Sequence, residues 1–182
     1  DGRDTSPQSA KDFVKQFQQN THDAVSIATL IGRFYAMDRD NRWERIEKAF
    51  NAIVNANGKD GNDPILEIET QYQSGTTDEF LEPVILNNYS GIQDGDTLLF
   101  GNFRADRARE LLSAIFEPNF LFFNRPHLPI INFKAGLVSY SPSLGLDSEY
   151  SKELRASFKW HRNECHELRA PFWKDGIPCF SG

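Results

Sequence analysis

Apolar residues recur at three- and four-residue intervals in some stretches of the chain and gather into short runs in others. That alternation predicts the element order. Phe13, Val14 and Phe17 share one face of a helix. Ser6 is its expected N-cap and Pro7 its first helical residue, leaving residues 2–5 as a loop. The β-branched run 25–31, closed by Gly32, predicts a buried strand that delivers Arg33 to its end. Trp43, Ile46, Phe50 and Ile53 return to helical spacing, so the arginine-rich stretch before them reads as a loop and first helical turn. Residues 55–62, with Gly58, Lys59, Asp60 and Gly61, read as a loop. Asp63-Pro64 opens a helix with Ile65, Ile68 and Tyr72 on one face, ended by Gly75. Strands are expected at 83–86 and 97–100, with a turn at 91–95 between them, and Leu111, Leu112 and Ile115 mark the next helix.

Beyond Pro118 the periodicity thins. Phe120, Phe122 and Phe123 fall in a loop-like stretch broken by Pro126 and Pro129, with a strand expected at 130–138 and a helix at 148–168. Strands alternating with helices predict an α/β fold, a largely parallel sheet flanked by helices, with ligands beyond the carboxyl ends of the strands. No repeat or low-complexity linker divides the chain.

Composition narrows the chemistry. A chain of 182 residues, 39% hydrophobic and 13% aromatic, can fill a core. With 20 basic against 26 acidic residues and a net charge of −6, it lacks the cationic excess of a general nucleic-acid or membrane-surface binder. An anion would have to bind at a local cluster. Cys165 and Cys179 are the two cysteines, and a core this size needs no disulfide, which predicts a reduced, cytoplasmic setting. No run is long enough to span a bilayer. The opening at Asp1, without Met, predicts further chain upstream.

Three expected strand-to-helix junctions carry arginine: Arg3 beside Asp4, Arg33 with Arg39, and Arg104 with Arg107. Guanidinium is a planar, permanently charged fork matched to carboxylate and phosphate. Junctions on one edge of a parallel sheet would converge, and Arg107 falls near a helix N-terminus, where free amides favour anions. Arg42, Arg45 and Arg109 read as helix-face residues paired with Glu. Asp4, Asp38 and Asp106 either balance neighbouring arginines or hold a substrate hydroxyl, and residue chemistry leaves both roles open. His161, Cys165 and His166 lack a second ligand cluster, His22 and His127 stand alone, and Gly91, Gly95 and Gly101 form no phosphate loop.

The stretch Gly32-Arg33-Phe34-Tyr35-Ala36-Met37-Asp38-Arg39-Asp40-Asn41-Arg42-Trp43-Glu44-Arg45 closely resembles the GRYYAMDRDxRWER signature of cofactor-independent phosphoglycerate mutases. Asp1-Gly2-Arg3-Asp4-Thr5, Thr77-Asp78-Glu79-Phe80-Leu81-Glu82-Pro83, and Asp94-Gly95-Asp96-Thr97 leading to Asn102-Phe103-Arg104-Ala105-Asp106-Arg107 follow in the family's order. Gly136-Leu137-Val138-Ser139-Tyr140-Ser141 is similar to a less specific bacterial segment, so the resemblance spans about residues 1–140.

It implies a glycolytic isomerase that interconverts 3-phosphoglycerate and 2-phosphoglycerate, monomeric when full length. In that family a phosphatase-like domain holds two manganese ions and a nucleophilic serine, and a second domain holds the glycerate. The substrate-holding residues correspond to Arg3, Asp4, Arg33, Arg39, Arg104 and Arg107. The arginines would grip carboxylate and phosphate, with Asp4 accepting the hydroxyl proton. Serine, metal ligands and a substrate-binding histidine of the family have no counterpart, so no cofactor is expected in this segment and the segment alone is expected to be inactive.

On this reading residues 1–150 are a substrate-binding (phosphotransferase) segment and 151–182 a divergent tail towards an interdomain hinge. Lys174 there is a candidate for a catalytic-site lysine. Gly101 stands where the family usually carries a bulky aromatic, an expected point of looser packing. The competing reading is a non-catalytic anion-binding or truncated remnant. A relative acting on another phosphorylated metabolite is disfavoured, because the substrate arginines match without substitution.

Overall fold

The computed structural model describes residues 2–22 and 24–144. The expected helix at 148–168, the boundary near residue 150, the two cysteines, His161, His166 and Lys174 lie outside them.

Helix α1 (Ala10–Asn20) leads through an irregular stretch to β1 (Thr29–Leu30) and the single-turn helix α2 (Arg33–Ala36). Helix α3 (Trp43–Asn55), strand β2 (Lys59–Gly61) and helix α4 (Pro64–Gln73) follow. A 3₁₀ turn at Asp78–Phe80 precedes β3 (Val84–Leu86). After β4 (Thr97–Phe100) come α5 (Ala105–Phe116), β5 (Phe133–Gly136) and a 3₁₀ turn at Pro142–Leu144.

The strands form two small sheets flanked by helices. One has the order β1-β3-β2, with β2 parallel to β3 and β1 antiparallel to it. The other pairs β4 with β5 in parallel. The α/β class and the preponderance of parallel pairing agree with the sequence pattern, but the strands are divided rather than gathered along one edge.

Several boundaries differ from expectation for local reasons. α1 begins after Ser9, not at Pro7, because the amides of Ser9 and Ala10 donate to a distant carboxylate, Asp78 Oδ2, at 2.9 Å each. The Pro7 carbonyl meanwhile accepts from the Asp78 amide at 2.8 Å. Of the apolar run 25–31 only Thr29 and Leu30 pair as strand, since their partner β3 is three residues long. Conversely, residues 59–61, read as loop, form β2: Gly61 lies opposite Leu86, and the short β3 gains a second neighbour. Arg33–Ala36 closes a helical turn that the sequence pattern left in a loop. β5 occupies the centre of the expected 130–138 strand.

The main core lies between α3 and α5. Ile46, Phe50 and Val54, four apart and so on one face of α3, are buried against Leu111, Ala114 and Ile115. Each of the Val, Leu, Ile and Phe side chains contributes about 1.5–3 kcal/mol by leaving water. The irregular phenylalanines seal one side: Trp43 stacks on Phe122 at 4.0 Å, and Phe120 and Phe123 meet edge to face at 4.7 Å. Ala108 and Leu112 face a second cluster with Tyr140 and Leu144. Both clusters grip α5, which fixes where its first turn sits.

Candidate anion-binding site

The segment Thr77-Asp78-Glu79-Phe80-Leu81-Glu82-Pro83 acts as a strut under two loops. Gly2 lies over it with φ +72°, and a Cβ there would come within 2.8 Å of the Glu79 amide nitrogen. The next residue, Arg3, puts Nη2 2.6 Å and Nε 2.7 Å from Glu79 Oε1. Further along the strut, the Gly32 amide donates to the Leu81 carbonyl at 2.8 Å. A Cβ at Gly32 would stand 2.5 Å from the Glu79 carbonyl oxygen, so only glycine allows this approach. Gly32 is followed by Arg33, whose side chain is 7% exposed and whose Nη1 lies 3.5 Å from Asp4 Oδ2. Arg3, Asp4 and Arg33 therefore form one corner.

The opposite corner is built on α5. Arg104 is its N-cap residue, and its amide donates to Asn102 Oδ1 at 2.9 Å. Asp106, in the first turn, accepts from Arg39 Nη1 at 2.8 Å and lies 3.6 Å from Arg104 Nη2. The hydrogen bond from Arg39 holds the Asp106 carboxyl below the usual range; burial opposes this, and the Arg104 charge assists it. Arg107 reaches back to the loop after α2, donating from Nη1 to the Met37 carbonyl at 3.0 Å.

The two corners meet at Arg107. Burial is the first cause pushing its guanidinium below the ordinary arginine value, and the positive charges of Arg39, Arg33, Arg104 and Arg3 push in the same direction. Its Nε is buried without an acceptor. Arg3, by contrast, is raised by its bond to Glu79 first and by the Glu79 charge; burial opposes this, and Asp4 and Asp40 add to it. The result is a patch where guanidinium forks crowd together while Asp4, 74% exposed at its side chain, presents an open carboxylate. Such a patch can take a small, multiply charged anion and leave one acceptor beside it.

All six residues singled out from sequence come into this neighbourhood, but not along one parallel edge. β1 runs antiparallel to its neighbour, and β4 belongs to the other sheet. The strut and the Met37–Arg107 bond do the gathering instead. Arg42 and Arg45 pair with Asp38, at 3.1 and 3.4 Å, not with Glu. Arg109 Nε donates to the Tyr140 carbonyl at 2.9 Å. Asp38 is 3% exposed and accepts the amides of Asp40 and Arg42, so it shapes the Arg39 loop rather than facing a ligand.

Asp78 and Glu79, whose motif was visible but whose work was not, are the residues that sequence reasoning missed. At Gly101 a Cβ would meet nothing within 4 Å: that position opens onto space rather than loosening a packed one. Among the described residues no group of three or more His, Cys, Asp or Glu side chains converges as a metal site, and no helix is long and apolar enough to cross a membrane.

Fold and cluster together define an α/β segment with a concentrated guanidinium site. The family described as "BPG-independent PGAM N-terminus" matches residues 1–142. The 2,3-bisphosphoglycerate-independent phosphoglycerate mutase of Agrobacterium fabrum is 47% identical over 141 residues, which is 78% of this chain and 28% of that protein. The enzyme of the same name from Sulfurimonas denitrificans is 45% identical over 130 residues, 71% of this chain and 26% of that protein. A crystal structure of Leishmania mexicana phosphoglycerate mutase at low cobalt concentration superposes with a TM-score of 0.70 at 29% identity, over 79% of this chain and 29% of that one. The chain thus belongs to the 2,3-bisphosphoglycerate-independent phosphoglycerate mutase family, and it spans under a third of the length of these relatives.

Proposed function

We propose that this chain is the substrate-gripping part of a phosphoglycerate mutase: Arg3, Arg33, Arg39, Arg104 and Arg107 hold the carboxylate and phosphate of 3-phosphoglycerate or 2-phosphoglycerate. The observation that carries this is the position of Arg107. The positive charges of Arg39, Arg33, Arg104 and Arg3 bear on it, and its Nε has no acceptor. A dianionic phosphate supplies both the missing charge and the missing acceptor. Asp4, open to solvent and 3.5 Å from Arg33 Nη1, stands where it can accept the proton of a glycerate hydroxyl.

The phosphoryl-carrying serine and two manganese ions are assigned to a phosphatase-like partner domain beyond this chain; the described residues do not fit a metal site. Residues 1–150 act as the phosphotransferase segment, with 151–182 leading towards the hinge, in a cytoplasmic, monomeric enzyme. Alone, the chain binds and orients but does not turn over.

Calorimetric titration with 3-phosphoglycerate tests the grip. Removing one charge-assisted contact of about 1.5–3 kcal/mol predicts affinity falling about 10- to 100-fold in Arg39→Ala and in Arg107→Ala. Equal affinity in the parent and both variants would remove the assignment. Turnover by the purified chain alone would contradict the division of labour.

A further inference from the structure

Beside the arginine cluster runs a groove of about 400 Å³ whose lining includes Arg39, Asn41, Asp106, Arg109 and Glu110. Glu110, on α5, is 8% exposed. Its Oε1 accepts the Asn41 amide at 2.9 Å, while Oε2 is buried and meets no donor. Asp38 accepts the amides on either side of Asn41, those of Asp40 and Arg42, which makes its buried carboxyl the hydrogen-bonding neighbour of Glu110 across this loop.

Asp38 is already well supplied. Its Oδ2 accepts the amides of Asp40 and Arg42 at 2.9 and 3.0 Å, and its Oδ1 accepts from Arg42 Nη1 and Arg45 Nη1. Two ionised carboxylates this close and this dry repel each other, and one proton shared between them relieves the conflict. Asp38, with four donors, is the one that stays ionised; Glu110, with one, is the one that takes the proton. A neutral carboxyl has a donor of its own, which gives Oε2 a partner.

We propose that Glu110 is a positioning residue that works in its neutral form: it donates to Asp38 through Oε2 and accepts from Asn41 through Oε1, clamping the 37–42 loop to α5. Arg39 rides on that loop and meets Asp106 of the same helix at 2.8 Å, so the clamp sets where Arg39 can reach. The consequence for ligand binding rests on the anion-gripping reading above; the clamp itself does not.

The charged surroundings agree. Burial is the first cause raising the Glu110 carboxyl; the Asn41 amide opposes it, and Asp38 and Asp40 raise it further. Arg42, the N-cap of α3, and Arg45 in its first turn engage Asp38 rather than Glu110. Arg39, Asp106 and Arg109 line the same groove. Because the folded value is raised, neutral Glu110 stabilises the fold fully below the ordinary glutamate value, and this contribution is lost as pH rises through the raised one.

The test is an NMR titration of the Glu110 side-chain carboxyl carbon in the full chain, with urea midpoints and 3-phosphoglycerate affinities of Glu110→Gln and Glu110→Ala. Expected are a carboxyl that titrates above the ordinary glutamate value of about 4.3 and is still protonated at the pH of the affinity measurements, a Gln variant with parental affinity and a flatter stability–pH profile, and an Ala variant about tenfold weaker. A carboxyl already ionised at that pH, or a Gln variant as weak as Ala, overturns the clamp. Should Ala fail to fold, the titration and the Gln variant still decide. If no protein binds the ligand while the carboxyl titrates high and Gln keeps the parental midpoint, the clamp stands and the anion-gripping reading falls.

Discussion

Replacing Asp78 by alanine removes a single side chain that joins the start of α1, the end of α4 and the strut. The carboxylate is 1% exposed. Oδ2 accepts the amides of Ser9 and Ala10 at 2.9 Å and the Ser9 hydroxyl at 3.2 Å, while Oδ1 accepts the Tyr72 phenol. Tyr72 registers the contact: burial first, then the bond to Asp78, pushes its phenol above the ordinary tyrosine value.

Loss of the helix cap is worth about 0.5–2 kcal/mol. The stranded phenol adds about 1–1.5 kcal/mol, and the remaining unpaired donor a similar amount, partly recovered from water. Together these give about 3 kcal/mol, a large share of an ordinary domain's stability. With a urea slope of about 1.5–2 kcal/mol per molar, the midpoint should fall by about 1.5–2 M. Asp78→Asn, which keeps an acceptor for the amides, should lose about half as much. A Tyr72→Phe cycle should show coupling, because the two share one bond. A midpoint for Asp78→Ala within about 0.5 M of the parent would refute the idea that this carboxylate is the cap.

Further outcomes follow from the same geometry. Gly32→Ala should lower stability by about 3 kcal/mol in urea titration, because the added methyl meets backbone atoms of Glu79 and Leu81 at 2.5 and 2.6 Å and neither can swing away. Asp38 is pushed up by burial, but bonds from the Arg42 and Asp40 amides and from the Arg42 side chain, with the Arg42 charge, bring it below the usual value. Its depressed value contributes stability above the unfolded-state value that is lost as pH falls through the folded one. Stability should therefore drop on the acid side of about pH 4, and Asp38→Asn should flatten that limb while lowering the neutral-pH midpoint.

What could be read from the chain was what local patterns determine. The face of α3 is written in Trp43, Ile46, Phe50 and Ile53, and the cap of α4 in Asp63-Pro64, whose carboxylate does accept the Ile65 amide at 2.8 Å. The arginines were legible because their chemistry is specific and their motifs are long. Their supports were not, because each acts across a large gap in sequence: Glu79 on Arg3 over 76 residues, Asp78 on Ser9 over 69, Glu110 on Asn41 over 69. An acidic residue destined for such a contact looks like any surface acid. β2 was hidden for a similar reason, since Lys59, Asp60 and Gly61 have little intrinsic strand preference and pair because β3 offers them an open side.

The strut that carries both Gly2 and Gly32 also serves as a ruler. Two rims of the pocket are hung from one seven-residue span, so inserting or deleting a residue between Thr77 and Pro83 would shift both together relative to α5. Length variation among relatives should accordingly be shunned in the span.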